Sequence, residues 1–299
     1  QDLTFDCDAA NQAATIQAWL DANGNGVASD ICGSVTWTHD YAPGDLSDLC
    51  GETGSVLVTF TVTDDCGNTS QTTATITVED NTPPTITTNA SDQTVECDGS
   101  GNTAELNAWL SSNGGSAATD ECSNVTWTND FNALSDLCGA TGSASVTFTA
   151  TDDCGNASTT TATFTIEDTT PPSITTQAQD LTFDCDAANQ AATIQAWLDA
   201  NGNGVASDIC SGVTWTHDYA PGDLSDLCGE TGTVLVTFTV TDDCGNTSQT
   251  TATITVEDNT PPTITTNASD QTVECDGAGN TTELNAWLAS NGGAAATDE

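Results

Sequence analysis

Cysteines and carboxylates are the side chains whose number and spacing could do chemistry in this sequence. The cysteines recur in sets of four: Cys7, Cys32, Cys50 and Cys66; Cys97, Cys122, Cys138 and Cys154; Cys185, Cys210, Cys228 and Cys244. Cys275 opens a fourth set. An even count at repeated spacing points to disulfides and to an oxidising compartment outside the cytosol. Thiolates could instead hold zinc. No Cys-x-x-Cys occurs, however, and only His39 and His217 could add nitrogen ligands. The matching position in the second set is Asn129, so a property shared by all sets cannot need those histidines.

The carboxylates number 44, against no Lys and no Arg, for a formal charge of −44. Without basic residues the chain cannot displace counterions from nucleic acid or dock on an anionic membrane surface. Such a chain attracts hard cations, Ca²⁺ above all, which take carboxylate and carbonyl oxygens. Like charge also keeps long chains apart and soluble. No catalytic set emerges. Nothing basic is available to stabilise an oxyanion or a phosphate, and a Ser-His-Asp arrangement would need His39. Carboxylate pairs of the glycosidase kind compete with the simpler reading of a solvated acidic surface. The run Asp21 to Gly26 starts like a calcium-binding EF-hand loop, but the closing Glu is missing and the second unit has Ser111 at the first position. The chain reads as no enzyme.

These residues are carried by repeats. Gln1–Ser100 returns at Gln179–Ala278 with four changes: Gly33/Ser211, Ser34/Gly212, Ser55/Thr233 and Ser100/Ala278. A looser copy lies between them. The expected boundaries are 1–80, 81–168, 169–258 and a shorter 259–299, in the order A-B-A-B. The sequence thus reads as a window on a longer array. No apolar run approaches the length of a membrane-spanning helix.

Within a unit the pattern is mostly strand. Val56, Val58, Phe60 and Val62 alternate with Leu57 and threonines, as Ala74, Ile76 and Val78 do with Thr73, Thr75 and Thr77, and Val35 and Trp37 with Thr36 and Thr38. Asp64 to Asn68, DDCGN, predicts a hairpin turn between the two longest runs. Ile16, Trp19 and Leu20 form one apolar stripe at helical spacing, repeated by Leu106, Trp109 and Leu110. Trp19 and Trp37 read as core residues; an aromatic platform for sugars is the alternative. An outward threonine face could suggest ice binding, although Thr is an ordinary exposed strand residue. Paired prolines at Pro83-Pro84, Pro171-Pro172 and Pro261-Pro262 predict short, stiff joints.

The run from Thr61 to Thr87, TVTDDCGNTSQTTATITVEDNTPPTIT, resembles the end of a hyalin repeat, or HYR module, and the resemblance recurs at Thr149–Thr175 and Thr239–Thr265. It covers about the last third of each unit well and the rest loosely. It implies an immunoglobulin-like fold and a role in extracellular adhesion, with no catalytic residues. The four-cysteine form with an early helix resembles repeats of giant surface adhesins of bacteria exported by type IX secretion. The expected fold class is all-β: tandem immunoglobulin-like β-sandwich repeats, each with one short helix, arranged end to end as a rod.

Three pairings of four cysteines are possible per unit. Cys50 and Cys66 flank a strand of about nine residues, roughly 30 Å long, whereas bridged Cα atoms lie within about 7 Å. In an Ig-like sandwich with the chain entering and leaving at opposite ends, Cys7 and Cys50 both fall at the trailing end. The expected pairs are therefore Cys7–Cys50 and Cys32–Cys66, then Cys97–Cys138 and Cys122–Cys154, then Cys185–Cys228 and Cys210–Cys244. The same topology brings Asp80 from one unit towards Asp120, Asp152 and Asp153 of the next, and Asp168 towards Asp208, Asp242 and Asp243, as candidate Ca²⁺ ligands at the joints. The expected function is a structural stalk or filament repeat of an extracellular, cell-surface adhesin. Its partners are neighbouring repeats of the same longer chain and other copies in a filament. The alternative is a module that binds glycans or another surface multivalently.

Overall fold

A computed structural model describes residues 1–47, 49–224 and 231–298. The chain divides into two compact units, Gln1–Asp168 and Thr169–Glu299. Each is described by itself.

The first unit holds two repeats. In the first, β1 (Leu3–Asp6) is followed by helix α1 (Gln12–Asp21), then β2 (Val35–His39), β3 (Gly54–Asp64) and β4 (Thr69–Glu79). The strands form one sheet in the order β1-β4-β3-β2. β3 and β4 are the expected hairpin, with Val56 opposite Ile76 and Val58 opposite Ala74. β1 runs parallel to β4, from Leu3 beside Ile76 to Asp6 beside Glu79. The second repeat begins with β5 (Thr85–Thr88), followed by β6 (Gln93–Glu96), α2 (Thr103–Ser111), β7 (Ala117–Thr119), β8 (Thr126–Asn129), β9 (Gly142–Thr151) and β10 (Ala157–Glu167). Its main sheet, β6-β10-β9-β8, matches the first, and β5 pairs with β7 as a separate two-stranded layer.

The period-2 pattern places the core. Val58, Phe60, Ala74, Ile76 and Val78 point inward and are buried, while Leu57 on the other face is exposed. The apolar stripe of α1 closes this core: Trp19 and Leu20 are buried against Val58, Phe60 and Ile76. Trp19 meets Phe60 edge to face at 5.2 Å, as Trp109 meets Phe148 at 5.2 Å. Each indole N–H also finds an acceptor, Trp19 on the Gln1 carbonyl and Trp109 on that of Ser91, both at 3.0 Å. These tryptophans are core residues, because a buried indole needs both apolar contact and a partner for its N–H.

The second unit holds a third repeat of the same design: β11 (Ser173–Thr176), β12 (Leu181–Asp184), α3 (Gln190–Asp199), β13 (Val205–Ser207), β14 (Val213–His217), β15 (Gly232–Asp242) and β16 (Thr247–Glu257). The strand pair β11-β13 lies beside the sheet β12-β16-β15-β14. Then come β17 (Thr263–Thr266), α4 (Thr281–Ala289) and β18 (Ala295–Thr297), with β17 paired to β18. The architecture is all-β, sandwich-like and repeated, with one short α-helix per repeat. No helix among the described residues is long and apolar enough to cross a membrane.

Candidate functional site

The residues singled out by chemistry meet inside the first unit, where the trailing end of the first repeat abuts the leading end of the second. β1 ends at Asp6 and Cys7 follows it; the Cys7 N–H donates to the carbonyl of Glu79 at 2.7 Å, fixing Cys7 beside the end of β4. Cys50 precedes β3 and so reaches the same end. From the second repeat, Cys122 follows β7 and Cys154 sits in the hairpin between β9 and β10.

The disulfides cross this joint. Cys7 bonds Cys122 and Cys50 bonds Cys154, with Cα separations of 5.9 and 5.2 Å. This corrects the expected Cys7–Cys50, Cys32–Cys66 and Cys122–Cys154 pairs. The cause is geometric. Cys7 and Cys50 lie at the trailing end of the first repeat and Cys122 and Cys154 at the leading end of the second, so within the first unit each finds its partner across the boundary between the repeats. Cys97, Cys138, Cys210 and Cys244 are also disulfide-bonded. Cys32, Cys66, Cys185 and Cys275 are thiols; Cys228 lies outside the described residues. Backbone contacts support the same joint. The Glu52 N–H donates to the Cys122 carbonyl at 2.8 Å. Gly51, at φ +55°, comes so close that a Cβ there would collide with the Cys122 carbonyl and Ser123.

Beside the bridges lies a group of carboxylates. Asp80, Asp120 and Asp152 each offer an oxygen within 4.8 Å of the others. Asp80 is only 8% exposed. Its Oδ1 accepts from the Thr82 N–H at 3.2 Å, while its buried Oδ2 has no hydrogen-bond partner. Burial raises the Asp80 carboxyl above the ordinary range, against the opposing Thr82 bond, and the negative charges of Asp120, Asp152 and Asp6 raise it further. Asp120 and Asp152 are held by local backbone. Asp120 accepts from the N–H groups of Cys122 and Ser123, both at 2.9 Å. Asp152 accepts from those of Cys154 at 2.9 Å and Asn156 at 2.8 Å. The Asn156 side chain donates to both Asp152 and the Asp80 carbonyl, tying the two repeats together at 2.8 and 3.0 Å. A crevice of about 340 Å³ lined by Asp8, Thr82, Thr119, Asp120 and Glu121 opens next to the group.

Asp153 does not join them. It accepts from the backbone and side chain of Asn124 at 3.3 and 3.2 Å and closes the loop after Cys122. Asp243 does the same for Gly212 at 3.1 Å, and Asp65 for Ser34 at 2.9 Å. Asp208 accepts from the Cys210 N–H at 2.8 Å and Asp242 from that of Asn246 at 2.8 Å. Burial pushes the Asp242 carboxyl up, but the Asn246 bonds outweigh it and leave it below the usual range. Asp168 and Asp242 are buried.

No protein-family model matches the chain, and no curated protein does. Among solved structures, a PcdhgB3 EC1-4 fragment is 13% identical over 74% of this chain, with a TM-score of 0.27; the match spans 62% of that fragment. Protocadherin gamma B2 extracellular cadherin domains 1-5 are 11% identical over 92% of this chain and 63% of their own, at a TM-score of 0.28. An I-band fragment of titin is 9% identical over 76% of this chain and 89% of its own, at 0.29.

Proposed function

We propose that this chain is a non-catalytic structural segment of an extracellular cell-surface adhesin of the hyalin-repeat-like kind, a stalk or filament whose repeats are joined end to end as a rod. The observation that carries the reading is the joint itself. Two covalent bonds tie one repeat to the next, and a repeat built as an independent binding module has no need of them. Disulfides of this number belong to an oxidising compartment, which supports a location outside the cell. The partners are neighbouring repeats of the same kind and other copies in a filament.

The second part of the proposal is that Ca²⁺ binds at each joint. Three carboxylates converge, one with a buried and unpartnered oxygen, and the chain has no cation of its own to neutralise them. Like charges at about 5 Å repel by roughly 1 kcal/mol per pair even in a water-like dielectric. A hard divalent ion with oxygen ligands turns that repulsion into attraction. Asp80, Asp120 and Asp152 would hold it. Asp153, being committed to Asn124, would not.

Calcium titration by calorimetry, with thermal melting in parallel, tests this. The wild-type chain should bind calcium and melt several degrees higher with it than with a chelator; Asp152→Asn should weaken both effects. An unchanged melting temperature and no heat of binding in the wild type would reject the metal reading and leave these acids as a solvated surface.

A further inference from the structure

Each carboxylate of the Asp80, Asp120 and Asp152 group is registered to a bridged cysteine. In the second repeat the tie is direct. Asp120 stands just before Cys122 and accepts its N–H at 2.9 Å; Asp152 stands just before Cys154 and accepts its N–H, also at 2.9 Å. In the first repeat the tie passes through the neighbours of Asp80. The Cys7 N–H donates to the Glu79 carbonyl at 2.7 Å, and Asp6, beside Cys7, accepts from the Asn81 N–H at 3.2 Å. The end of β1 thus clamps Asp80 on both sides. The sulfurs abut the acids: Asp6, Cys7, Asp80 and Cys122 each place a carboxylate oxygen or a sulfur within 4.8 Å of the others. Cys7 and Cys122 are both buried.

The three acids come from two repeats, Asp80 from the first and Asp120 and Asp152 from the second. The bonds Cys7–Cys122 and Cys50–Cys154 hold those repeats where the acids meet. The hydrogen bonds across the same joint, from Asn156 to the Asp80 carbonyl and from Glu52 to the Cys122 carbonyl, join uncharged groups. Such bonds are modest in net terms, because water competes for both partners. They act against carboxylates that repel one another.

We infer that the four bridged cysteines are the positioning residues of this metal site: calcium affinity depends on closed bridges, and calcium in turn keeps the bridges closed. The inference rests on the calcium reading of the acidic group and adds redox control to it. With both bridges closed the acids are gathered before the ion arrives, so the ion meets a full set at high effective concentration. With the bridges open the acids push the repeats apart, and binding must bring them back. Linkage between two equilibria is reciprocal, so the factor that the bridges give to calcium affinity is the factor that calcium gives to bridge stability. Opening is ordinary thiol exchange. One glutathione thiolate attacks a bridge sulfur and expels the other cysteine as a thiolate. A second attacks the mixed disulfide, freeing the first cysteine and forming oxidised glutathione. Two electrons enter each bridge, and two protons end on the freed thiols.

The test uses the full chain, equilibrated in glutathione buffers of graded ratio with calcium, with magnesium or with a chelator, all at one ionic strength. Free thiols are then alkylated, and the chain is cut with an acid-specific protease and mapped to read the closed fraction of Cys7–Cys122 and of Cys50–Cys154. Calcium should raise the ratio of reduced to oxidised glutathione needed for half-opening by about tenfold or more. Magnesium holds its own waters more tightly and should shift it less. Asp80→Asn, which removes the ligand of the first repeat, should abolish most of the calcium shift; the comparison of wild-type midpoints stands without that variant. Equal midpoints with calcium and chelator, in a chain that calorimetry shows to bind calcium, would overturn this inference and leave the calcium reading in place. No heat of calcium binding defeats both. An equal shift with magnesium would assign the effect to screening of an acidic surface and also overturn the positioning role.

Discussion

Asp80 shows what the acidic composition means for a single residue. Its carboxyl lies above the ordinary carboxylate range because it is buried and faces other acids. A raised folded-state value means that the joint is most stable below the unfolded value and loses stability as pH rises through the folded one. In chelator, acidification from neutral towards pH 4 should therefore strengthen the joint. With calcium the trend should invert, since protonation then expels the ion. Melting curves across pH, with and without calcium, check both signs, and Asp80→Asn should flatten both. Other acids have a different task. Asp2 and Asp92 accept from the N–H groups of Thr75 and Thr163 at 2.8 and 2.7 Å, and Asp40 and Asp130 from those of Thr59 and Thr147, both at 2.7 Å. In a chain without Lys or Arg, neutral groups must supply the donors to these acids, backbone N–H groups foremost. The Asp80, Asp120 and Asp152 group was legible because it follows from which ends of the strands meet. The role of Asp153 was not, because two adjacent acids in DDCGN look alike in sequence and only the loop after Cys122 separates them.

At the scale of elements, the strands, the hairpins and the helix followed from periodicity, since apolar alternation has one explanation when one face is buried. The placement of the cysteines at the ends of the repeat followed too. Their partners did not, because four cysteines at repeated spacing satisfy pairing within a repeat or across a boundary equally well. Only the contact of the end of β1 and the start of β3 with the next repeat decides. Loop closure over the 115 residues between Cys7 and Cys122 contributes about 5 kcal/mol in the chain-entropy account, a model-dependent figure. Cys7→Ser with Cys122→Ser should lower the melting temperature of the first unit and let its two repeats melt as separate transitions in calorimetry. Gly51 gives a second handle on the same contact. Its φ of +55° is less costly for alanine than the +89° of Gly67, yet Gly51 abuts Cys122 and Ser123 whereas Gly67 has open space around it. Gly51→Ala should therefore destabilise more than Gly67→Ala, reversing the order that backbone strain alone would give.

At the scale of the molecule, the proposal is a stalk in which covalent and ionic ties act in parallel. Small-angle scattering of the full chain should give a larger maximum dimension and a narrower distribution with calcium than with chelator. Combined chelator and reductant should produce the broadest ensemble. A chain whose profile ignores both would not be a jointed rod. The near-identity of the first and third repeats fits a spacer, in which length matters more than a distinct surface on each unit.

The crossed bridges have one more consequence, for survival under attack. Extracellular chains are cut by proteases, and an ordinary string of domains parts at its first severed linker. Here the segment from Cys7 to Cys122 overlaps the segment from Cys50 to Cys154. Any single cut between residues 8 and 153 leaves a cysteine on one fragment bonded to its partner on the other. Digestion should yield nicked chains that run intact on non-reducing gels and fall into fragments only when reduced, so a tether of this design keeps its grip after its backbone has been broken.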